Sequence, residues 1–481
     1  MKTKKNNQGQ LSLELILFST MAVILISGFV SLAASFVQLS VRSLNKLQAF
    51  AIAESGIEYY RWHLAHAPAD YEDGTGHAGP YTHNYFDKDG RFLGSFTLTI
   101  TPPPSGSTVV TIQSAGKVLA DSSIEKIIKV QLGKQSFAKF AVLADDVMRF
   151  GTGTEIFGPI FSNNGIRFDG LAHNIVESAV ESYDDPDHSG PDEFGVHTHV
   201  PPVDPLPPAA VPSRPDVFMA GRNFPVPAAD FTQITQTLSS LKSLAQASGT
   251  YFASSSAYGY DLALATSGIY SMYKVTALAQ LPNGCTNMSN QPDWGVWSVG
   301  AETLVATGTI PQGGVVFVED DVWVRGQVNG KRLTIGAGRF PDNESTRANI
   351  TINSSTLYTN YNGSDTLAFI AQNNFNVGLF SEDILRIDGA IVAQNGRVGR
   401  FYYAPPNLQS QTEKCGDTVF RQEITLYGSI NSNERYGFGY TDSTGYQERN
   451  IIYDSNLLYN PPPNFPLTTD QYSPVSWTEI Q

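Results

Sequence analysis

The chain has 481 residues and a formal net charge of −14, with only 16% charged residues against 42 glycines, 28 prolines, 22 tyrosines and 27 phenylalanines. So acidic a balance argues against nucleic acid or an anionic membrane surface as the main ligand, and DNA uptake through this chain is disfavoured. The turn-forming and aromatic residues, with hardly any helix-periodic segment after Ala65, predict a β-rich bulk with many turns.

The N-terminus departs from that composition. Lys2, Lys4 and Lys5 precede an uncharged apolar run of 23 residues, 15–37, and Glu14 is a lone carboxylate at its mouth. A helix of that length reaches about 35 Å, enough to cross a hydrocarbon core of about 30 Å. The run continues into Gln38-Leu39-Ser40-Val41 without the small-residue cleavage site of a secretory signal, so a retained single-pass membrane helix is expected. The lysines ahead of it orient the N-terminus toward the cytoplasm and the bulk of the chain outside. A carboxylate near the start of such a helix is costly in lipid. It either stays hydrated at the interface, favoured by the positive end of its own helix, or finds a cation.

Gly9-Gln10-Leu11-Ser12-Leu13-Glu14 resembles the class III signal of type IV pilins, a short basic leader and a glycine followed by an apolar helix with an early glutamate. The resemblance implies that a membrane-embedded aspartyl prepilin peptidase cuts after Gly9. Gln10 then becomes the mature N-terminus, a candidate for methylation, and Glu14 pairs with the free amine of a neighbouring subunit. Bacterial pilins usually begin with phenylalanine after the cut, and Gln10 stands there instead; the stretch also resembles the archaeal form of the signal. Removing the leader takes away three lysines and no acid, moving the net charge from −14 to −17. Farther on, the Ala53-Glu54-Ser55-Gly56 stretch within residues 49–61 resembles that of PilX-type minor pilins. Leu44, Leu47, Phe50 or Ala51, Glu54 and Ile57 recur at helical spacing, so the helix is expected to continue to about Ala65 and stop before Pro68. That makes nearly 55 residues and about 80 Å, a length suited to a pilin stalk with a filament-packed lower half.

After the stalk, Asp87-Lys88-Asp89-Gly90 reads as a hairpin turn rather than a calcium loop. With alternating runs at residues 92–100, 108–112 and 124–132 it predicts a small antiparallel meander, as the resemblance also implies. A repeat follows. Gly158-Pro159-Ile160, Gly389-Ala390-Ile391 and Gly428-Ser429-Ile430 share Gly-x-Ile, and Ala371-Gln372-Asn373-Asn374 returns 22 residues later as Ala393-Gln394-Asn395-Gly396. Short β runs with a buried aliphatic and an asparagine at the corner suit a β-helix or solenoid, with residues 325–335 fitting the same pattern and an irregular β-sandwich as the alternative. Residues 183–227 interrupt it with Asp184, Asp185, Asp187, His188, His197, His199 and a proline run, read as an exposed excursion. His197-x-His199 on a strand points both imidazoles to one face and the aspartates offer oxygen ligands, but the spacing is not specific and a solvated loop is preferred to a metal site. A helical patch over residues 227–248, with Phe231, Ile234, Leu238 and Leu241 on one face, is expected to dock on the β structure.

Cys285 and Cys415 are the only cysteines, both in the exported part, and a disulfide between them is expected, with separate buried thiols as the alternative. No enzyme motif with specific spacing occurs, Asp383 and Asp388 have no evident partner, and no cofactor is expected. Trp294, Trp297, Trp323, Tyr402 and Tyr403 could stack on sugars but read better as packing residues. The fold class expected is α+β to mainly β: a long N-terminal transmembrane and stalk helix, a small antiparallel sheet and a large solenoid-like ectodomain. Its divisions are residues 1–9 leader, 10–67 transmembrane and stalk helix, 68–135 meander, 136–182 first solenoid segment, 183–227 excursion, and 228–481 solenoid-like domain with a packed C-terminal tail. Residues 140–481 resemble the long ectodomain behind PilX-type leaders in bacterial surface proteins, which brings no activity with it. The function expected is a minor pilin-like subunit at or near a filament tip at the cell surface. Its partners would be the prepilin peptidase, other pilin subunits, the pilus assembly machinery, the membrane and a surface or polysaccharide ligand. An uncut membrane-anchored adhesin and a β-helical carbohydrate-active enzyme are the alternatives.

Overall fold

The computed structural model describes residues 8–104, 107–405 and 415–480, excluding the side chains of residues 8–10, 232–236, 459 and 470. Residues 1–7 of the expected leader, and the side chains of Gly9 and Gln10, lie outside the described residues. Contacts divide the chain into two units, one of Met1–Pro102, Val110–Leu132 and Pro474–Gln481, the other of Pro103–Val109 and Gly133–Ser473.

Helix α1 (Gln8–His66) dominates the first unit with 59 residues, about 88 Å at 1.5 Å per residue. Its end agrees with the expectation drawn from Pro68. Leu44 and Leu47 are exposed, and the buried positions are Asn45, Ala49, Ile52, Ala53, Gly56, Ile57, Tyr60 and Leu64. Small residues carry the contact, because a flat sheet can approach a helix closely only where side chains are short. Strands β1 (Tyr81–Phe86), β2 (Phe92–Thr101), β3 (Val110–Val118) and β4 (Asp121–Ser136) form the antiparallel meander against α1. A Cβ on Gly116 of β3 would lie 2.2 Å from the Ala49 carbonyl oxygen and 2.5 Å from the Ala53 nitrogen. The turn between β1 and β2 is closed by Asp87, whose Oδ1 accepts from Asp89 N at 3.0 Å and Arg91 N at 2.8 Å. One element was assigned elsewhere by the sequence. The C-terminal strand Leu467–Ile480 does not end the large domain as a tail but joins this sheet beside β4.

The second unit is β-rich and its ladders are mostly parallel. Thr250–Phe252, Val315–Val318, Arg332–Ala337, Thr366–Ala371, Ile384–Ala393, Phe420–Ser432, Val142–Ala144, Ile160–Ser162, Val176–Ser178 and Arg222–Asn223 lie side by side in that order, each pairing parallel. A second parallel ladder runs through Gly259–Leu264, Val322–Val328, Ile350–Ile352, Phe375–Val377 and Val398–Arg400. The three Gly-x-Ile runs do fall in register, Ile391 on Ile430, Ile430 on Val142, and Val142 on Ile160. Their order in space is not the order in the chain, because Val142–Ala144 lies between Phe420–Ser432 and Ile160–Ser162. The helix α2 (Thr232–Ser248) connects the two ends of the first ladder, burying Leu238, Leu241 and Ala245 against Phe137, Phe317, Ile370 and Val392. That ladder is therefore covered on both faces, which is why Val315–Val318 and Thr366–Ala371 are buried throughout instead of alternating.

Side-chain amides seal one corner of the stack. Asp321 Oδ1 accepts from Asn349 N at 2.7 Å, Asn349 Oδ1 from Asn374 N at 3.0 Å, and Asn374 Oδ1 from Arg397 N at 2.9 Å. Each turn thus satisfies a backbone donor of the next. Residues 183–227 are only in part the exposed excursion expected: the proline run is largely exposed, but several other positions belong to the core. Tyr183, Asp185, Glu193, Phe194, Val196, His197, Asp204, Arg214, Val217 and Phe218 are buried, and Val196–His197 extends a parallel sheet with Ile166–Phe168 and Met148–Phe150.

Candidate functional site

Two places carry chemistry. The first is the start of α1, the one helix among the described residues that is long and apolar enough to cross a membrane, with mean hydropathy 2.4 in its best window and none of that window buried. Glu14 is the single charge over residues 11–41, and among the described residues it has no ion-pair partner. Three hydroxyls of the same stretch are satisfied by the helix backbone. Ser19 Oγ donates to Leu15 O at 2.7 Å, Thr20 Oγ1 to Ile16 O at 2.6 Å and Ser35 Oγ to Ser31 O at 2.9 Å. Such back-bonding lets polar side chains sit in a medium without water, and it leaves the Glu14 carboxylate as the group in need of an outside partner.

The second place gathers acids and histidines from the segment read as a solvated loop. Ser182–Tyr183 pairs antiparallel with Glu193–Phe194, which brings Asp185 and Glu193 toward His197 and His199. The ligand atoms of Asp185, His197 and His199 lie within 4.8 Å of one another, and so do those of His188, Glu193 and His199. Asp185 Oδ2 is 3.6 Å from His197 Nε2, and Glu193 Oε1 is 3.5 Å from His199 Nε2 and 3.8 Å from His188 Nδ1. His197 Nδ1 lies 3.3 Å from the Phe194 carbonyl oxygen, which calls for the proton on Nδ1. Burial, then the neighbouring His199, pushes the His197 imidazole down to about 4, so it is neutral at pH 7. Below the histidines, Asp169 Oδ1 accepts from His199 N at 2.8 Å and Asp204 Oδ2 from Thr198 N at 3.1 Å, fixing the backbone between them.

Of the six acids and histidines singled out in the sequence, four belong to this cluster. Asp187 turns instead to Arg435 at 2.8 Å and Arg149 at 3.5 Å, and Asp184 is exposed. Glu193 was missed. It shares the parity of His197 and His199 along the chain, and that alternation was the available signal.

Other sequence candidates are structural. Asp388 accepts from Tyr358 N at 2.8 Å and pairs with Arg386, and Asp383 Oδ1 accepts from Gln422 N at 3.0 Å, so both do have partners. Trp294, Trp297 and Trp323 each donate Nε1 to a backbone carbonyl, and Tyr403 donates to Gly295 O, so these rings pack the fold. Tyr402 donates to Asp442. A disulfide joins Cys285 and Cys415, Cα atoms 4.4 Å apart, within a cluster containing Leu379, Phe401 and Tyr403. A cavity of about 480 Å³ is lined by Arg149, Arg397, Arg435 and Arg449 together with Tyr436 and Tyr440.

No family model and no curated protein matches the chain. Among solved structures it is similar to the competence-associated pilin ComZ from Thermus thermophilus, at 12% identity and a TM-score of 0.32 over 91% of this chain and 97% of that one. A score that low leaves any assignment to rest on the chain's own residues.

Proposed function

We propose that this chain is a pilin-like subunit, inserted through α1 in the membrane and then in a surface filament, with the large β unit as its displayed head. The observation that carries the reading is Glu14, without an ion-pair partner among the described residues, at the start of an apolar helix that is exposed over residues 11–44 and docked under an antiparallel sheet beyond them. A lone carboxylate in lipid costs about 2.5–3.5 kcal/mol at mid-membrane and less near the interface, and the amine of a neighbouring subunit, created by cleavage between Gly9 and Gln10, removes that cost. Prepilin peptidase, other pilin subunits and the assembly machinery are the partners on this reading.

The parallel ladders support reading the head as a β-helix whose rungs turn at the Asp321, Asn349 and Asn374 corner. So bulky a head suits a tip or initiating position, since a shaft subunit needs room on every side. On this reading the head displays a binding surface rather than a catalytic centre. Its cavity gathers Arg149, Arg397, Arg435 and Arg449 against one acid, Asp187, which answers Arg435 and Arg149, and that local excess of cations suits a ligand bearing carboxylates, such as an acidic polysaccharide.

Mass spectrometry of the protein from a host with prepilin peptidase tests the proposal. A mature chain beginning at Gln10, with Glu14→Val abolishing filament incorporation but not membrane insertion, is the expected result. A chain retaining Met1 or Lys2 in a peptidase-competent host sinks it and favours the uncut anchored adhesin.

A further inference from the structure

We propose that Asp185, Glu193, His197 and His199, with His188 at the rim, form a binding site for a divalent transition metal in the head, Zn²⁺ being the ion its donors suit. The inference is independent of how the N-terminus is processed. It begins from four buried polar atoms with no hydrogen-bond partner among the described residues: Asp185 Oδ2, Glu193 Oε2, His197 Nε2 and His199 Nε2. Asp185, Glu193 and His197 are 4%, 3% and 0% exposed. Each unsatisfied buried group costs about 1–3 kcal/mol, more for a charged one, so the three that meet between Asp185, His197 and His199, whose ligand atoms lie within 4.8 Å of one another, call for a common partner, with Glu193 bordering them through His199.

The spacing identifies that partner. The separations of 3.6 Å between Asp185 Oδ2 and His197 Nε2 and of 3.5 Å between Glu193 Oε1 and His199 Nε2 exceed the usual hydrogen-bond range. Both are near the roughly 3.4 Å between neighbouring ligands of a tetrahedral ion with bonds of about 2.0–2.2 Å. A calcium ion would ask for six to eight oxygens, whereas imidazole nitrogens with carboxylates suit zinc and its neighbours. His197 is prepared for the role, its Nδ1 directed at the Phe194 carbonyl oxygen so that Nε2 offers its lone pair. Asp185 Oδ1 is likewise occupied by the Asp187 amide at 3.0 Å, which directs Oδ2 toward the histidines. Arg167 Nη1, 3.6 Å from Asp185 Oδ2, is the one cation beside the site, and its Nε is held by Asp169 at 2.8 Å. Access is from the His188 side, where that side chain is 45% exposed and His199 is 17% exposed. His188 is therefore the exchangeable donor.

Full-length protein in detergent, stripped with EDTA and dialysed, is titrated with Zn²⁺ against a chromogenic competing chelator, and with Co²⁺ by absorption spectroscopy. One saturable site per chain and the visible spectrum of tetrahedral Co²⁺ are expected. His197→Gln and Asp185→Asn are each expected to weaken Zn²⁺ by about 100-fold and His188→Gln by about tenfold or less, while Asp187→Asn, whose carboxylate faces arginines, leaves the affinity unchanged. Because His197 is fully buried, His199→Gln serves as a second variant at the rim, checked by circular dichroism. The absence of a saturable site overturns the proposal, as does wild-type affinity in folded His199→Gln. So does displacement of Zn²⁺ by equimolar Ca²⁺.

Discussion

Replacing Gly116 by valine tests the small-residue docking of α1 directly. The new Cβ would meet the Ala49 carbonyl oxygen at 2.2 Å and the Ala53 nitrogen at 2.5 Å, both backbone atoms that no rotamer change can move. Restoring ordinary contact requires α1 and β3 to separate by about 1 Å, and a gap of that size forfeits a quarter to a half of the dispersion well along the seam. Ile52, Ile57, Tyr60 and Leu64 are buried there, each worth about 1.5–3 kcal/mol. A quarter to a half of that total gives a loss of about 1.5–6 kcal/mol. Gly56→Ala is expected to cost less, since its Cβ would meet the Ser114 hydroxyl at 2.3 Å and the Phe96 ring at 2.7 Å, side chains that can yield. Gly28→Ala, with nothing within 4 Å, is the control and should change stability by less than about 1 kcal/mol. Urea unfolding in detergent, followed by tryptophan emission because Trp477 stacks edge-on to Phe50 at 5.9 Å, reads the loss. Equal midpoints for Gly116→Val and Gly28→Ala would refute the close-approach argument.

Burial, with Glu302 beside it, pushes the Asp261 carboxyl up to about 7 against the pull of Arg325. A carboxyl raised on folding gives stability that is complete below about pH 4 and lost as the pH rises toward 7. Asp261→Asn should therefore gain on the wild type between those values, by about 1–3 kcal/mol at pH 8, and parallel pH profiles of the melting temperature would contradict this. Cys285→Ser opens a loop spanning 130 residues and should lower stability by up to about 5 kcal/mol, read as a urea midpoint shift that reduction of the wild type reproduces. Asn374→Ala leaves the buried Arg397 amide unsatisfied and should cost about 1–3 kcal/mol, whereas substitution of exposed Asn362 should cost under about 0.5 kcal/mol.

Local periodicity made α1, its end before Pro68, the meander and the turn at Asp87 legible, because each depends on neighbours a few residues apart. The Gly-x-Ile repeats marked a shared register for the same reason. Helical spacing did not say which face of α1 meets the sheet: Leu44 and Leu47 are exposed, Ile57 is buried, and close backbone approach selects Ala49, Ala53 and Gly56. Segment 183–227 looked solvated because its charges were counted one by one. In the fold some of them answer each other, buried Arg214 and Arg222 with Asp204 and part-exposed Asp187 with Arg435, while the proline run stays largely exposed. Rung order was beyond reach, since nothing near Val142 in sequence says that Ile430 will lie beside it.

The return of the C-terminal strand explains how one small sheet can accommodate so large an insert. Residues 137–466 lie between β4 and Leu467–Ile480, and those two strands are neighbours in the sheet. Gln135, Gly133, Gln131 and Lys126 meet Thr468, Ser473, Ser476 and Glu479 in turn, so the pair runs antiparallel. An insertion whose ends emerge on adjacent antiparallel strands occupies the place of a hairpin loop, and loop-closure entropy grows only slowly with length. The sheet that docks on α1 therefore keeps its register whatever the insert contains. The acids and histidines of the head and the glutamate of the helix answer to separate constraints: the first to the packing of rungs, the second to the scarcity of cations in an apolar medium.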